Sequence, residues 1–228
     1  MNKHESLERR SRALPARRLG KAVYDAVKAR ILNGDYAPGE RLAIEEFCQD
    51  FEVSRQPVME AMRRLSGDWL VEIIPQVGSA VVDFEAGAIS EFIVTFAQVE
   101  SDVAALAAER RTPEQLARAT SLSRQLAPLV EPTEEARLLA RDYHRVVVEM
   151  AHSEILERLC QQMWDFAAFA ANTVAPMNGD TMRRQGEVVL KLTQAIEDGD
   201  PESARRHTRV WLTGLHRPGV DGGSDRSA

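Results

Sequence analysis

Apolar residues near the N-terminus recur every three or four positions, which is the spacing of one face of an α-helix. The clearest case is the segment 53–65, in which the apolar positions are Val58, Ala61, Met62 and Leu65. Ser54 stands where a helix N-cap is expected, and Pro57 fits the first turn because no helical hydrogen bond is lost there. The pattern predicts a helix whose N-terminal end exposes Ser54, Arg55 and Gln56.

Two further helices and a hairpin flank this segment. The periodicity predicts one helix from about 19 to 33 and a short one from about 43 to 51, with a turn between them. Short β-prone runs at 70–74 and 80–82 enclose a turn with Gly78, which predicts a two-stranded hairpin. Short helices followed by such a wing form a winged helix-turn-helix, whose last helix enters the major groove of DNA. A hydroxyl, a guanidinium and an amide at its tip are suited to base edges and phosphates.

The remainder of the chain has only helical periodicity, interrupted by clear start and stop signals. The segment 112–115 is typical of a capped helix start, and the segment 199–201 ends one helix and begins the next. Helices are predicted at about 88–110, from 112 onward, and at about 133–150, 153–171, 180–198 and 201–215. Helices joined by short loops form antiparallel bundles. The predicted fold is mostly α, with an N-terminal winged helix-turn-helix domain and a C-terminal antiparallel six-helix bundle.

The same pattern divides the chain into segments. They are a flexible basic arm at 1–16, a winged helix-turn-helix domain at 17–82, a linker at 83–87, an all-helical domain at 88–215 and a disordered tail at 216–228. No apolar run reaches the roughly 20 residues of a membrane-spanning helix, and the polar N-terminus does not resemble a signal peptide. Cys48 and Cys160 fit no metal-binding spacing and are expected to be reduced, so we expect a cytoplasmic protein.

The net charge of −6 is unusual for a DNA-binding protein, but it is unevenly distributed. Residues 1–82 contain 13 Lys and Arg against 12 Asp and Glu, a balance of +1, whereas residues 83–228 contain 16 against 23, a balance of −7. The acidity therefore lies in the helical part. The N-terminal part has basic clusters at 9–18 and 55–64, which indicate a modest basic patch.

Several motifs within residues 20–82 resemble the DNA-binding domain of GntR-family bacterial repressors. They are Ile31–Gly34, Pro38–Leu42, Val53–Val58, Glu60-Ala61, Arg64-Leu65 and Gly78. In that family the arginine matching Arg41 contacts the phosphate backbone, and the arginine matching Arg55 reads a guanine. The glycine matching Gly78 approaches the minor groove. The candidate DNA-binding residues are therefore Arg41, Ser54, Arg55, Gln56, Arg63 and Gly78.

Two positions depart from the family pattern. Met59 stands where a second arginine usually follows the Pro-Val pair, and a methionine cannot donate a hydrogen bond to a base or a phosphate. We therefore expect an altered sequence preference, since one good base contact contributes about 1–3 kcal/mol of discrimination. Trp69 stands where a glycine is usual.

The helical half is similar to the all-helical effector-binding and dimerisation domain (FCD domain) of the FadR-type subgroup. The motifs are Tyr143-His144, Glu154–Leu156, Ala195-Ile196 and Gly199–Pro201. Many members bind a divalent metal through an aspartate and three histidines. The matching positions here are Ala140, His144, Val189 and Trp211, so one metal-binding side chain is present. The family's carboxylate-binding arginine matches Phe96. We expect no metal and no other cofactor.

Two interpretations of these positions stay open. An apolar pocket formed by Phe96, Ala140, His144, Val189 and Trp211 is suited to a small apolar or aromatic effector. Alternatively, Trp211 and Val189 fill the space themselves, and no small molecule binds.

The chain is therefore expected to be a ligand-responsive bacterial transcription regulator, and a repressor, that binds a short palindromic operator in double-stranded DNA. A homodimer is expected because one short helix reads only a few base pairs and a two-fold partner doubles the site. One alternative is a regulator-derived interaction module without effector or specific DNA binding. A helical-bundle enzyme is the least favoured alternative, because the titratable residues form no recognisable catalytic constellation.

Overall fold

The computed structural model describes residues 16–174 and 179–214, without the side chains of 16, 17 and 171–174. The chain divides into two compact units, Met1–Asp83 and Phe84–Ala228. Nine helices and one three-stranded sheet lie within the described residues. The predicted tail at 216–228 and all but the last residue of the predicted arm at 1–16 lie outside them.

The N-terminal unit is built around its third described helix. Its elements are α1 (Ala16–Asn33), β1 (Arg41–Leu42), α2 (Ile44–Asp50), α3 (Arg55–Gly67), β2 (Val71–Ile74) and β3 (Gly78–Val81). Helix α3 packs against α1, α2 and β2. Its predicted apolar stripe is fully buried and consists of Val58, Ala61, Met62 and Leu65. The predicted winged helix-turn-helix is therefore confirmed.

The sheet differs from the predicted two-stranded hairpin. Strand β3 pairs antiparallel with both β2 and β1, so the strand order is β1-β3-β2. The sequence indicated only a turn carrying Arg41, because a strand of two residues is too short to show alternation. Its pairing places Arg41 opposite Ala80 and Leu42 opposite Ser79. This third strand fixes the backbone of Arg41 to the base of the wing.

The C-terminal unit is helical, as predicted. Its elements are α4 (Ala86–Arg110), α5 (Pro113–Leu126), α6 (Glu134–Met150), α7 (Glu154–Val174), α8 (Gly179–Asp198) and α9 (Pro201–Gly214). Helix α4 is central, because it contacts α6, α7, α8 and α9. None of the described helices combines the length and the apolar character needed to cross a bilayer.

The predicted start signals of two bundle helices form the expected hydrogen bonds. The Thr112 side chain accepts from the backbone N–H of Gln115, and the Gln115 side chain accepts from the backbone N–H of Thr112. This reciprocal capping box satisfies two backbone groups that the first turn of α5 leaves open. Asp200 accepts from the backbone N–H groups of Glu202 and Ser203 at the start of α9.

Two helix boundaries differ from the prediction. Helix α4 begins at Ala86, two residues early, because the N-cap lies at Glu85 inside the predicted linker. Helix α7 continues to Val174, although the prediction ended it near residue 171. No glycine or proline lies in α7 before its end, so nothing local stops the helix at 171. Residues 175–178 of the predicted loop lie outside the described residues.

Helices α5 and α8 approach each other closely at Gly186. A Cβ atom at this position would lie 2.9 Å from the Cα and 3.0 Å from the carbonyl carbon of Ala127, and closer still to its carbonyl oxygen. Ala127 is the C-cap residue of α5. Only a glycine lets the backbones of the two helices meet at this distance.

Candidate functional site

The N-terminal end of α3 presents three polar side chains to solvent. Ser54 is the N-cap residue and has extended backbone dihedrals (φ −71°, ψ 167°), as predicted. Its side chain makes no capping hydrogen bond, so the hydroxyl is not used to close the helix. Arg55 and Gln56 follow and are exposed like Ser54. The buried stripe of α3 fixes the helix from behind, and its leading end stays accessible.

Arg55 is held by a carboxylate that the sequence analysis did not single out. Arg55 Nη1 donates a hydrogen bond to Glu45 Oε1 of helix α2 at 2.7 Å. Both side chains are open to solvent, with 68% of Arg55 and 70% of Glu45 exposed. The two residues are ten positions apart in sequence, on either side of the turn between α2 and α3, so no local periodicity predicts the contact.

The other candidate DNA-binding residues are also exposed. Arg41 lies in β1, Arg63 lies on α3, and Gly78 ends the hairpin turn with φ +131°. Neither Arg41 nor Arg63 forms an ion pair with another described residue. Arg64, by contrast, lies over the ring of Tyr24 at 3.9 Å from its centroid. Of the two adjacent arginines, Arg63 is therefore the one with an uncommitted guanidinium.

Met59 and Trp69, the two positions that depart from the family pattern, have different surroundings. Met59 is half-buried, so part of its side chain stays accessible to solvent. Trp69 is 43% exposed and has a left-handed backbone conformation with φ +62°. Glycine adopts this conformation without a steric penalty, which is a physical reason for a glycine at this turn.

In the C-terminal unit, the candidate effector residues come from four helices. Phe96 lies on α4, Ala140 and His144 on α6, Val189 on α8 and Trp211 on α9. All are buried except Ala140, which is half-buried against the same core. The structure therefore places four of these residues in the interior of the helical unit and the fifth, Ala140, against that interior.

A residue that the sequence analysis missed joins three of these positions. The Trp164 ring of α7 stacks on the His144 imidazole, with 4.2 Å between centroids and 15° between planes. It also lies 6.1 Å from the Phe96 ring and 5.7 Å from the Trp211 ring. These rings contact one another directly. Trp164 lay outside the motifs used for the resemblance, and only its place on the apolar face of α7 could have indicated it.

The imidazole of His144 is engaged by a buried carboxylate. His144 Nε2 and Glu100 Oε2 are 2.9 Å apart, and the Glu100 side chain is 3% exposed. The second oxygen, Glu100 Oε1, has no hydrogen-bond partner among the described residues. Glu100 could have been found in the sequence, because it lies on the apolar stripe of α4 between Phe96 and Ala104. A charged residue on such a stripe indicates a buried partner or a ligand.

Two other ionisable groups in this interior are kept neutral by their surroundings. Burial raises the pKa of the Cys160 thiol, and the nearby negative charge of Glu100 raises that pKa further. Burial also raises the pKa of the Tyr143 hydroxyl, which bonds Thr193 at 2.9 Å. The buried thiol and phenol therefore stay protonated.

Comparison with known protein families identifies both units. Residues 19–81 match the family described as bacterial regulatory proteins, gntR family. Residues 91–214, more than half of the chain, match the FCD domain. The chain belongs to the GntR family, in its FCD subgroup. The resemblance inferred from the sequence motifs is thus confirmed for both halves.

Relatives of this GntR-family protein are transcription regulators. The uncharacterized HTH-type transcriptional regulator YdhC of Bacillus subtilis is 26% identical over 193 residues, which cover 81% of this chain and 83% of that protein. The galactonate operon transcriptional repressor of Escherichia coli is 27% identical over 150 residues, covering 57% of this chain and 66% of that protein. This chain is likewise a DNA-binding transcription regulator and not an enzyme, and its FCD domain is the effector-binding domain.

Solved structures show the same fold. Escherichia coli McbR/YncC has a TM-score of 0.72 and 22% sequence identity, covering 86% of this chain and 93% of that chain. A GntR regulator from Rhodococcus sp. RHA1 has a TM-score of 0.70 and 21% identity, covering 86% of this chain and 95% of that one. At these identities the similarity extends to the architecture alone.

The metal-ligand positions of the FCD subgroup do not fit a metal in this chain. Ala140, Val189 and Trp211 offer no oxygen, sulfur or imidazole donor, and His144 Nε2 is engaged by Glu100. Within residues 16–174 and 179–214, no three His, Cys, Asp or Glu side chains are grouped so that they could hold a metal ion.

Proposed function

We propose that this GntR-family regulator binds a short palindromic operator as a homodimer and represses transcription in the cytoplasm. In each protomer α3 enters the major groove, where Arg55 reads a guanine and Ser54 and Gln56 contact neighbouring bases or phosphates. Arg41 and Arg63 contact phosphates, and the wing turn at Gly78 approaches the minor groove. The proposal depends chiefly on one observation, which is the exposed polar end of α3 above a fully buried apolar stripe.

The dimer follows from the small footprint of one such helix. A single recognition helix contacts only a few base pairs, whereas two copies related by a two-fold axis read two half-sites about one helical turn apart. The FCD domain would hold the two helices at that spacing. An effector that changes the spacing would change the operator affinity, with a coupling of about 1–3 kcal/mol.

For the effector we propose a small apolar or aromatic molecule bound among Phe96, Ala140, His144, Val189 and Trp211. The aromatic rings around Trp164 and the absence of an arginine or lysine from this set support a neutral, flat ligand. Since these rings contact one another, the ligand would enter by moving Trp164 or Trp211. If the rings instead only fill the core, no such ligand binds.

DNA binding can be tested with an operator selected from a random duplex library by the full-length protein. Arg55→Ala should abolish selectivity, and Arg41→Ala should weaken binding to all duplexes and reduce the salt dependence of the binding constant. The control is Arg124→Ala, at an exposed arginine of α5 in the other unit, which makes the same change in charge. It should leave the selectivity, the affinity for duplexes and the salt dependence of the binding constant unchanged. Unaltered selectivity in Arg55→Ala would refute the proposed role of α3.

Effector binding can be tested by tryptophan fluorescence. The chain has three tryptophans, and a Trp69→Phe background leaves only Trp211, which belongs to the proposed site, and Trp164, whose ring lies beside it. Phenol and p-cresol are suitable aromatic probes, because neither contains the indole ring that gives the tryptophan signal, and succinate is an acidic aliphatic comparison. Saturable quenching by the aromatic probes, weakened by His144→Ala, would support the site. No response to any probe would favour a core filled by its own side chains.

A further inference from the structure

Glu45 is a negatively charged residue beside the proposed base-reading arginine. An ion pair between two exposed side chains usually contributes between 0 and about 1 kcal/mol to stability, so the contact does little to hold the fold together. A carboxylate near the DNA phosphates is repelled by them, which makes this position costly for DNA binding in general. The stability of the fold therefore does not explain why a glutamate occupies position 45.

The geometry of the pair leaves Arg55 able to read a base. Glu45 engages one terminal nitrogen of the guanidinium, Nη1. The opposite edge of the guanidinium, formed by Nε and Nη2, makes no hydrogen bond with any other described residue. A bidentate contact to guanine O6 and N7 needs only two N–H groups, so this free edge is sufficient. The carboxylate therefore fixes the side chain without blocking it.

The second carboxylate oxygen is available as well. Glu45 Oε2 accepts no hydrogen bond within the described part of the chain. In the major groove the exocyclic amino group of cytosine is a donor that a carboxylate can accept from. A carboxylate 2.7 Å from Arg55 would lie beside the guanine that Arg55 reads, where the amino group of a cytosine is within reach.

We propose that Glu45 is a second specificity-determining residue, which orients Arg55 and accepts a hydrogen bond from a cytosine amino group next to the guanine that Arg55 reads. This inference rests on the proposed function of Arg55. It makes the reading element a pair of opposite charges, from the first turn of α2 and the tip of α3. The phosphates repel Glu45, so this contact contributes selectivity for sequence and lowers affinity for random DNA.

Glu46 provides a matched control. It is the next residue of α2, it is exposed, and its carboxylate forms no hydrogen bond or ion pair with another described residue. Both glutamates lie in the first turn of α2, where a negative charge stabilises the helix end. Glu45→Gln and Glu46→Gln therefore make the same change in charge and in helix-end electrostatics, and only the first removes the carboxylate from Arg55.

The experiment compares full-length wild type, Glu45→Gln, Glu45→Ala, Glu46→Gln and Arg55→Ala in selections from a random duplex library, followed by binding titrations at two salt concentrations. Wild type and Glu46→Gln should select cytosine beside the guanine. Glu45→Gln should shift that position toward adenine, because an amide pairs with adenine N6 and N7, with a change in relative affinity of about tenfold. Glu45→Ala should lose the preference there. Both glutamine variants should bind random duplexes more tightly than wild type.

Two results would overturn the inference. One is the same base preference at every position in wild type, Glu45→Gln and Glu45→Ala, and the other is the same shift in Glu46→Gln as in Glu45→Gln. A different failure is recognised from Arg55→Ala. If that variant selects the wild-type operator, Arg55 reads no base, and the proposed function of α3 fails together with this inference.

Discussion

A methyl group at Gly186 should separate two helices of the FCD domain. In Gly186→Ala the new Cβ would lie 2.9 Å and 3.0 Å from two backbone carbons of Ala127, where unstrained carbon atoms approach to about 3.5–4.0 Å. The neighbour is backbone at the end of α5, so no side chain can rotate away. Helix α8 must therefore move by about 1 Å or distort.

Two opposing effects set the magnitude. Overpacking of this kind costs about 1–3 kcal/mol, and contact with backbone places Gly186→Ala at the upper end of that range. Alanine regains about 1 kcal/mol of helix propensity relative to glycine. The expected net destabilisation of the FCD domain is about 2 kcal/mol. For a chain of this length that corresponds to a lower Tm by about 4–8 °C.

Gly87 offers the matched control. It is also helical, lying in the first turn of α4, and a Cβ there would meet nothing within 4 Å. Gly87→Ala should therefore raise the stability by up to about 1 kcal/mol through the unfolded state. Urea unfolding followed by tryptophan fluorescence in the Trp69→Phe background reports the FCD domain alone, because Trp164 and Trp211 are its tryptophans.

The comparison of the two alanine variants can refute this reasoning. If Gly186→Ala is as stable as Gly87→Ala, the backbones of α5 and α8 are not held at the distance described. Gly186 also precedes Val189 by about one helical turn. A destabilised Gly186→Ala that still folds should bind aromatic probes with altered affinity, because its helix carries a proposed effector residue.

Three further predictions concern single side chains. Trp69→Gly should stabilise the N-terminal unit by about 1 kcal/mol in thermal unfolding, because it relieves a left-handed backbone at a non-glycine residue, whereas Trp69→Phe should not. In the native protein iodoacetamide should modify the half-buried Cys48 before Cys160, because burial, and to a smaller extent Glu100, raise the pKa of the Cys160 thiol and so disfavour its reactive thiolate. Equal labelling of the two cysteines in mass spectrometry would contradict this. Glu100→Ala should destabilise the FCD domain by about 3 kcal/mol, since it leaves His144 buried without its partner, and Glu100→Leu combined with His144→Leu should recover most of that loss.

The sequence predicted those parts of the fold that depend on local pattern. The apolar stripe of α3, the capping box at Thr112 and the turn at Gly199 are all short-range signals, and each was read correctly because its partners lie within a few residues. The sequence analysis missed strand β1, because its two residues form a strand only through their pairing with β3. The pairing of distant segments arises only in the folded chain, so it cannot be predicted from two residues of sequence.

The candidate sites show the same difference between features that follow from local sequence and contacts between distant segments. The exposed end of α3 followed from the direction of its buried face, and the interior position of Phe96 and His144 followed from family motifs. The contact of Glu45 with Arg55 could not be predicted, because it joins two helices across a turn. The pairing of Glu100 with His144 was partly predictable, since a glutamate on an apolar stripe demands a partner, although the sequence does not name it.

The ion pair at the tip of α3 also bears on how the protein would search a chromosome. Random DNA holds proteins through its phosphates alone, and a guanidinium already neutralised by a carboxylate adds little to that attraction. The molecule would spend less of its time sliding on irrelevant sequence and more of it in free diffusion. Fewer copies per cell would then suffice to keep one operator occupied, because fewer would be sequestered by the rest of the genome.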